Sequence, residues 1–177
     1  MLGAGAVTGD IGSTVASAAA GDVAALARIV ERHHRDMARI CAVICGESLL
    51  ADDAVQAAWL TVWPRLGSLR DPERLRPWLM SIAANEARQL MRRERRRRVV
   101  EIRVPEQGAG REPGPDLADL SRTLAHLSAD DRSLLALRFV AELSSDEIGA
   151  AIGLSASGVR SRLERLLARL RTELDHD

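Results

Sequence analysis

The sequence predicts an all-α fold of two small helical domains joined by a flexible linker, and three observations carry that expectation. Ala, Leu, Arg and Glu are abundant while β-branched and aromatic residues are scarce, which favours helix over strand. Apolar residues recur at steps of three and four along most of the 177 residues. One stretch breaks the pattern. Val104 to Asp116 holds three Pro and three Gly with almost no apolar residue, a composition unable to bury a core. The expected organisation is therefore a tail at 1–9, a helical domain at 10–100, a linker at 101–116 and a helix-turn-helix domain at 117–177.

Asp10 to Ala20 reads as a short Ala-rich helix ended by Gly21, with Asp22 capping the next. Val23, Ala27, Val30, His34, Met37, Cys41 and Ile44 then trace one long amphipathic helix that stops near Gly46. A third helix, about Ala51 to Leu66, turns Val55, Ala58, Val62 and Leu66 inward. Asp71, Pro72 and Glu73 form a helix start: a capping Asp, Pro at the first position, then an acid. Pro77 lacks an amide for the helical ladder, so a kink or restart is expected there. Leu75, Trp78, Leu79, Ile82 and Leu90 carry the apolar stripe onward.

Beyond the linker, Leu117, Leu120, Leu124 and Leu127 share one helical face, and Ser128 opens a helix that contains Leu134, Leu135 and Phe139. Ser144 and Glu147 fit a capping box. The short helix they start should end at Gly153, and Ser155 can cap the last one. Two short helices around a tight Gly turn have the form of a helix-turn-helix. In the last helix, Val159, Leu163, Leu166, Leu170 and Leu174 seat one side, while Ser157, Ser161, Glu164 and Arg165 face away, flanked by Arg160 and Arg162. Short polar groups near the N-terminus of such a helix can reach base edges, and nearby arginines can take phosphate or guanine. A plain solvated Arg/Glu face is the competing reading; the two capped helices around the Gly turn tip the balance toward DNA.

Hydrophobic residues at 46% suffice for a core, which must be aliphatic because Tyr is absent, Phe occurs once and Trp three times. The net charge is zero but unevenly spread: Arg88 to Arg103 holds eight Arg against two Glu, so the remainder is acidic. A basic segment in acidic surroundings suggests a polyanion ligand and a separate basic partner. Every basic residue is Arg, which suits bidentate phosphate contacts and equally reflects compositional bias. With no basic residue before Arg28 and no continuous apolar run, a secretory signal is not expected. No stretch approaches the ~18 apolar residues of a membrane span, so a cytoplasmic protein without membrane insertion is expected. Cys41 and Cys45 share a predicted stripe with His34, which permits a metal or redox site, but filling the apolar face beside Val30, Met37 and Ile44 is the favoured reading. No catalytic constellation, phosphate-cradling loop, metal set or cofactor is expected.

At this point three stretches, Asp52 to Trp63, Arg76 to Arg97 and Leu127 to Arg171, resemble in that order the two conserved regions of bacterial sigma factors. The resemblance is to the short extracytoplasmic-function class of the sigma-70 family, and it spans nearly the whole chain outside the tail and linker. It implies a transcription initiation factor that binds core RNA polymerase, at the β′ clamp helices and β flap, and recognises −10 and −35 promoter DNA. Asp52, Asp53, Gln56 and Leu60 would meet the polymerase. Leu69, Arg70 and Asp71 would capture a base flipped from the −10 element, with Asn85 at its upstream edge and Arg88, Arg92 and Arg93 on the backbone. Ser157, Gly158, Arg160, Ser161, Arg162 and Arg165 would lie at the −35 element. An anti-sigma factor is a further implied partner. The chain departs from the family at Ala57, where an acid is frequent, at Ala84, where Arg is, and at Gly158, where Thr is. A stand-alone helix-turn-helix repressor or activator is the alternative from another class.

Overall fold

A computed structural model of the chain describes residues 11–100, 124 and 126–174. The tail at 1–9, the linker at 101–116 and the Leu117 and Leu120 part of the leucine face lie outside the described residues. The described residues form helices and turns, with no strand among them. The all-α expectation holds.

Helix α1 (Ile11–Ala19) buries Val15 and Ala18 and gives way at Gly21, whose φ of +99° belongs to the left-handed region that glycine enters without strain. Asp22 caps α2 (Val23–Cys45): its Oδ1 accepts from the amides of Ala24 at 2.8 Å and Ala25 at 3.1 Å. Gly46, at φ +74°, closes α2 and donates its N–H to the Ala42 carbonyl.

The extent of α2 matches the sequence reading, but its phase does not. Val23, Ala27 and His34 are exposed and Val30 is half-buried; the core side is Ala25, Leu26, Ile29, His33, Met37, Ile40, Cys41, Ile44 and Cys45. The reason is that two stripes one residue apart are both apolar in the first half of the helix. Leu26 and Ile29 win because they are larger than Ala27. His33 is then carried into the core and its neighbour His34 out of it.

Helix α3 (Ser48–Arg65) buries Ala51, Ala54, Val55, Ala58 and Val62, and a 3-10 turn (Leu66–Ser68) adds Leu66. A second 3-10 turn (Pro72–Arg74) is capped by Asp71, which accepts from the Glu73 amide at 3.1 Å. It runs directly into α4 (Leu75–Val100). The break expected at Pro77 falls two residues earlier, where 3-10 geometry changes to α. Pro77 is thus in the first turn of α4, whose amides lack helical acceptors anyway. Helices α2, α3 and α4 pack on one another, and α1 covers α2 and the two 3-10 turns. Ile29, Met37, Ile40, Ile44, Leu75, Leu79 and Met80 are among the fully buried side chains of this bundle.

In the second unit, Ser128 Oγ accepts from the Asp131 amide to start α5 (Ala129–Leu135). The chain continues as a π turn (Ala136–Val140), so Phe139 belongs to this wider turn and is exposed rather than to a regular helix. Glu142 takes φ +57°, an uncommon conformation for a residue with a side chain, as the chain reverses toward the next helix. Ser144 and Glu147 make the expected reciprocal box on α6 (Ser145–Ile152), which Gly153 ends at φ +76°. Ser155 Oγ accepts from the Gly158 amide at 3.1 Å and opens α7 (Ala156–Leu174). Val159, Leu163, Leu166 and Leu170 are its buried side; the Leu174 side chain lies outside the described residues.

The two units pack together. Helix α6 lies against α4, and α5 with its π turn lies against α2 and α4. Arg76 stitches them, donating to the Ala141 carbonyl at 2.7 Å while pairing with Asp36 at 3.3 Å.

Candidate nucleic-acid interface

Helix α3 has two apolar stripes. One faces the core; the other, Leu49, Leu60 and Trp63, is exposed, with Leu60 78% accessible. Asp52, Asp53 and Gln56 are exposed too, and Asp53 and Gln56 continue the same line at steps of four, three, four and three between Leu49 and Trp63. An exposed apolar strip with carboxylates beside it has the composition of a protein-binding patch. Leu49 and Trp63 extend the patch beyond the residues named from sequence; their spacing from Leu60 and Asp53 was the available signal.

On the other side of α3, a cleft of about 840 Å³ opens between the loop at 66–74 and the first half of α4. Leu69, Arg70, Asp71 and Asn85 all line it, so four of the seven residues expected at the −10 element meet in one place, while Arg88, Arg92 and Arg93 are not in its lining. Trp78 and Ile82 provide its apolar wall, and Thr61 Oγ1 donates to Glu86 Oε1 across it at 3.0 Å. Trp78 was read from sequence only as part of the core stripe. It is half-buried and supplies an aromatic face in a chain that has few.

The arginines of α4 divide in two. Arg93, Arg95, Arg96 and Arg97 are exposed. Arg88 is largely covered, its Nη2 donating to Asn85 Oδ1 at 3.3 Å and its Nη1 3.8 Å from Asp130. Arg92 Nη2 is 2.9 Å from the same Asp130 oxygen. Burial lowers the Arg88 pKa from its ordinary value, and Asp130 opposes that fall. Glu147, Ala150 and Ala151 of α6 form the outer lip of the cleft.

On α7, Ser157, Arg160, Ser161, Glu164 and Arg165 are exposed and adjoin one another along the outer face. Gly158 is half-buried against Ser155, whose Oγ would be 3.2 Å from an added Cβ. Arg162 departs from the group. Its Nη2 and Nε reach Asp131 Oδ1 at 2.9 and 3.2 Å, so it braces the domain from within.

The cysteines are both buried. Cys41 Sγ lies 3.7 Å from the Ala83 carbonyl and Cys45 Sγ 3.7 Å from that of Leu50. Burial first, then each site's neighbouring negative charge, pushes the thiols up to about 12 and about 11, although Arg132 pulls Cys45 back. His34 is not with them: it accepts a hydrogen bond from Trp59 Nε1 at 3.1 Å on the exposed side. Among the described residues, no cluster of three potential metal ligands forms and no helix is long and apolar enough to cross a membrane.

A helical bundle with a basic long helix, beside a helix-turn-helix, has the architecture of a DNA-binding protein. Residues 29–97 match the Sigma-70 region 2 family and residues 117–170 match the Sigma-70, region 4 family. The RNA polymerase sigma factor CnrH of Cupriavidus metallidurans is 30% identical over 92% of this chain and 93% of its own. The ECF RNA polymerase sigma factor SigL of Mycobacterium tuberculosis is 29% identical over 90% of this chain and 94% of its own. The solved structure of CnrH in complex with the cytosolic domain of CnrY superposes with a TM-score of 0.70 at 30% identity, covering 93% of this chain and 97% of that one. The chain belongs to the sigma-70 family, in its extracytoplasmic-function class, and is a promoter-recognising transcription initiation factor.

Proposed function

We propose that the three exposed surfaces divide the work of initiation. The outer stripe of α3, with Asp52, Asp53, Gln56 and Leu60 extended by Leu49 and Trp63, binds the β′ clamp helices of core RNA polymerase. The cleft lined by Leu69, Arg70, Asp71 and Asn85 takes a flipped base of the −10 element, with Trp78 as a face to stack on. Arg88, Arg92 and Arg93 hold the adjoining backbone, and the β flap receives the second helical unit. On α7, Arg160, Ser161 and Arg165 read or grip the −35 element while Ser157 and Gly158 let the helix N-terminus approach the DNA closely.

Arg162 has a different part in this reading: it fixes the helix through Asp131. The phosphodiester chemistry belongs to the polymerase, so the chain works in the cytoplasm as a dissociable subunit with no catalysis of its own. CnrH was solved bound to the cytosolic domain of CnrY, and we infer that this chain too has a protein partner, an anti-sigma factor. The observation that carries the proposal is the gathering of Leu69, Arg70, Asp71 and Asn85 around one cleft from two separate elements. Run-off transcription with purified core polymerase on a promoter library tests it. Initiation from a defined promoter set is expected; binding to core without initiation on any member would overturn it.

A further inference from the structure

Two neighbouring acids at the start of α5 face opposite ways. Asp131 takes Arg162 and Arg169 of its own unit, at 2.9 and 3.4 Å. Asp130 reaches across to the other unit and takes Arg92 at 2.9 Å and Arg88 at 3.8 Å. A carboxylate placed between two arginines of a basic helix occupies the position that a phosphate oxygen would occupy, with the same charge-assisted geometry. The same packing sets α6 along the lip of the cleft through Glu147, Ala150 and Ala151.

We propose that Asp130 is an internal stand-in for DNA phosphate, a latch that holds the free chain closed over its own −10 surface until a polyanion displaces it. The inference rests on the reading above that Arg88 and Arg92 hold the DNA backbone. The contact is built to be reversible. Asp130 is 39% accessible and Arg92 58%, so this pair is weak and screened by salt. The three fully buried side-chain polar atoms without a hydrogen-bond partner among the described residues, on Arg88, Arg132 and Ser133, belong to α4 and α5, the helices that meet here. A groove of about 470 Å³ between Arg92, Arg95 and Asp130 also leaves this junction incompletely packed. The face of α7 with Arg165 is exposed in this closed arrangement, so the latch covers one DNA surface and spares the other.

The test uses the full chain and two readouts. Small-angle scattering should give a compact particle at low ionic strength that expands as salt rises, and Asp130→Asn should be expanded already at low salt. Anisotropy with a mixed-sequence single-stranded DNA oligonucleotide should show Asp130→Asn binding about fivefold tighter than wild type, the scale of an exposed ion-pair set. Asp146→Asn, an exposed acid on α6 with the same charge change, is the control for net charge, and the variant Asp130→Arg/Arg92→Asp should restore compactness. Unchanged scattering for Asp130→Asn, or a DNA effect no larger than that of Asp146→Asn with unchanged scattering, overturns the latch. Expansion without tighter DNA binding would instead keep the closed contact and overturn the assignment of Arg88 and Arg92 to the DNA backbone.

Discussion

Arg162 on α7 donates two hydrogen bonds to one oxygen of Asp131 on α5, from Nη2 at 2.9 Å and Nε at 3.2 Å. The other oxygen accepts from Ser128 Oγ at 2.9 Å and from Arg169 at 3.4 Å. Asp131 thereby ties α5 to α7.

Asp131→Asn is expected to lower stability by about 2 kcal/mol, because it leaves two arginines without a charged acceptor. Burial alone would raise the Asp131 pKa, but hydrogen bonds from Arg162, Ser128 and Arg169 outweigh it and hold the carboxyl below its ordinary 3.8. Its contribution is fully present above that unfolded value and fades as pH falls through the depressed folded one, since the unfolded chain takes up the proton first. Thermal melts of wild type and Asp131→Asn should converge on acidification.

His33 gives the opposite residue type and the same direction with pH. It is buried in α2, and burial, then Arg32 and Arg76, lower its pKa from 6.5 against the pull of Asp36. An unfolded chain protonates this imidazole first, so stability present above pH 6.5 should be lost as pH drops through the folded value. His33→Gln should flatten that part of the stability curve; an unaltered slope would assign it to other groups.

Asp53→Arg and Trp63→Ala should each weaken binding to core polymerase by tenfold or more while moving unfolding free energy by less than about 0.5 kcal/mol, as suits exposed side chains of an interaction patch. Surface-captured core polymerase supplies the affinity and differential scanning calorimetry the stability. Equal affinity for Asp53→Arg and wild type would remove α3 from the polymerase contact.

Arg165→Ala and Arg162→Ala should separate cleanly. The first should cost about 1–3 kcal/mol of binding to −35 duplex if it reads a base, with stability unchanged. The second should lower the melting temperature through the loss of its Asp131 contacts. A binding loss for Arg165→Ala that is uniform across sequences would make it a phosphate contact.

Gly149→Ala should damage the turn of the helix-turn-helix. An added Cβ would come 2.5 Å from the Leu154 carbonyl oxygen, which is backbone and cannot swing aside. A cost of about 1–3 kcal/mol is expected from such overpacking. Gly153 has nothing within 4 Å of its Cβ position, so Gly153→Ala should cost only the ~1 kcal/mol of a left-handed backbone. Urea unfolding of the two variants distinguishes them.

Helix ends were the most legible part of this sequence, because each is decided by a few adjacent residues: Asp22, Gly46, the Ser144 and Glu147 box and Gly153 all act as read. The phase of α2 was harder, since adjacent stripes and the pair His33 and His34 offer no local reason to choose. The outer patch of α3 was legible only in part: Asp52, Asp53, Gln56 and Leu60 came from the family resemblance, whereas Leu49 and Trp63, exposed on the same face, were not singled out. Arg162 looked like its neighbours on α7; only Asp131, 31 positions earlier, distinguishes it. The contact of Asp130 with Arg92 likewise joins residues 38 apart across the interval that the sequence marks as a linker. Local pattern cannot reveal that kind of pairing.

The two sulfhydryls inside the bundle make the protein its own unfolding clock. At neutral pH neither Cys41 nor Cys45 offers an appreciable fraction of anion to an alkylating reagent. Every adduct that accumulates in a time course should therefore count an excursion of the α2 core into solvent, and a single cysteine introduced on the surface should carry a dye alone.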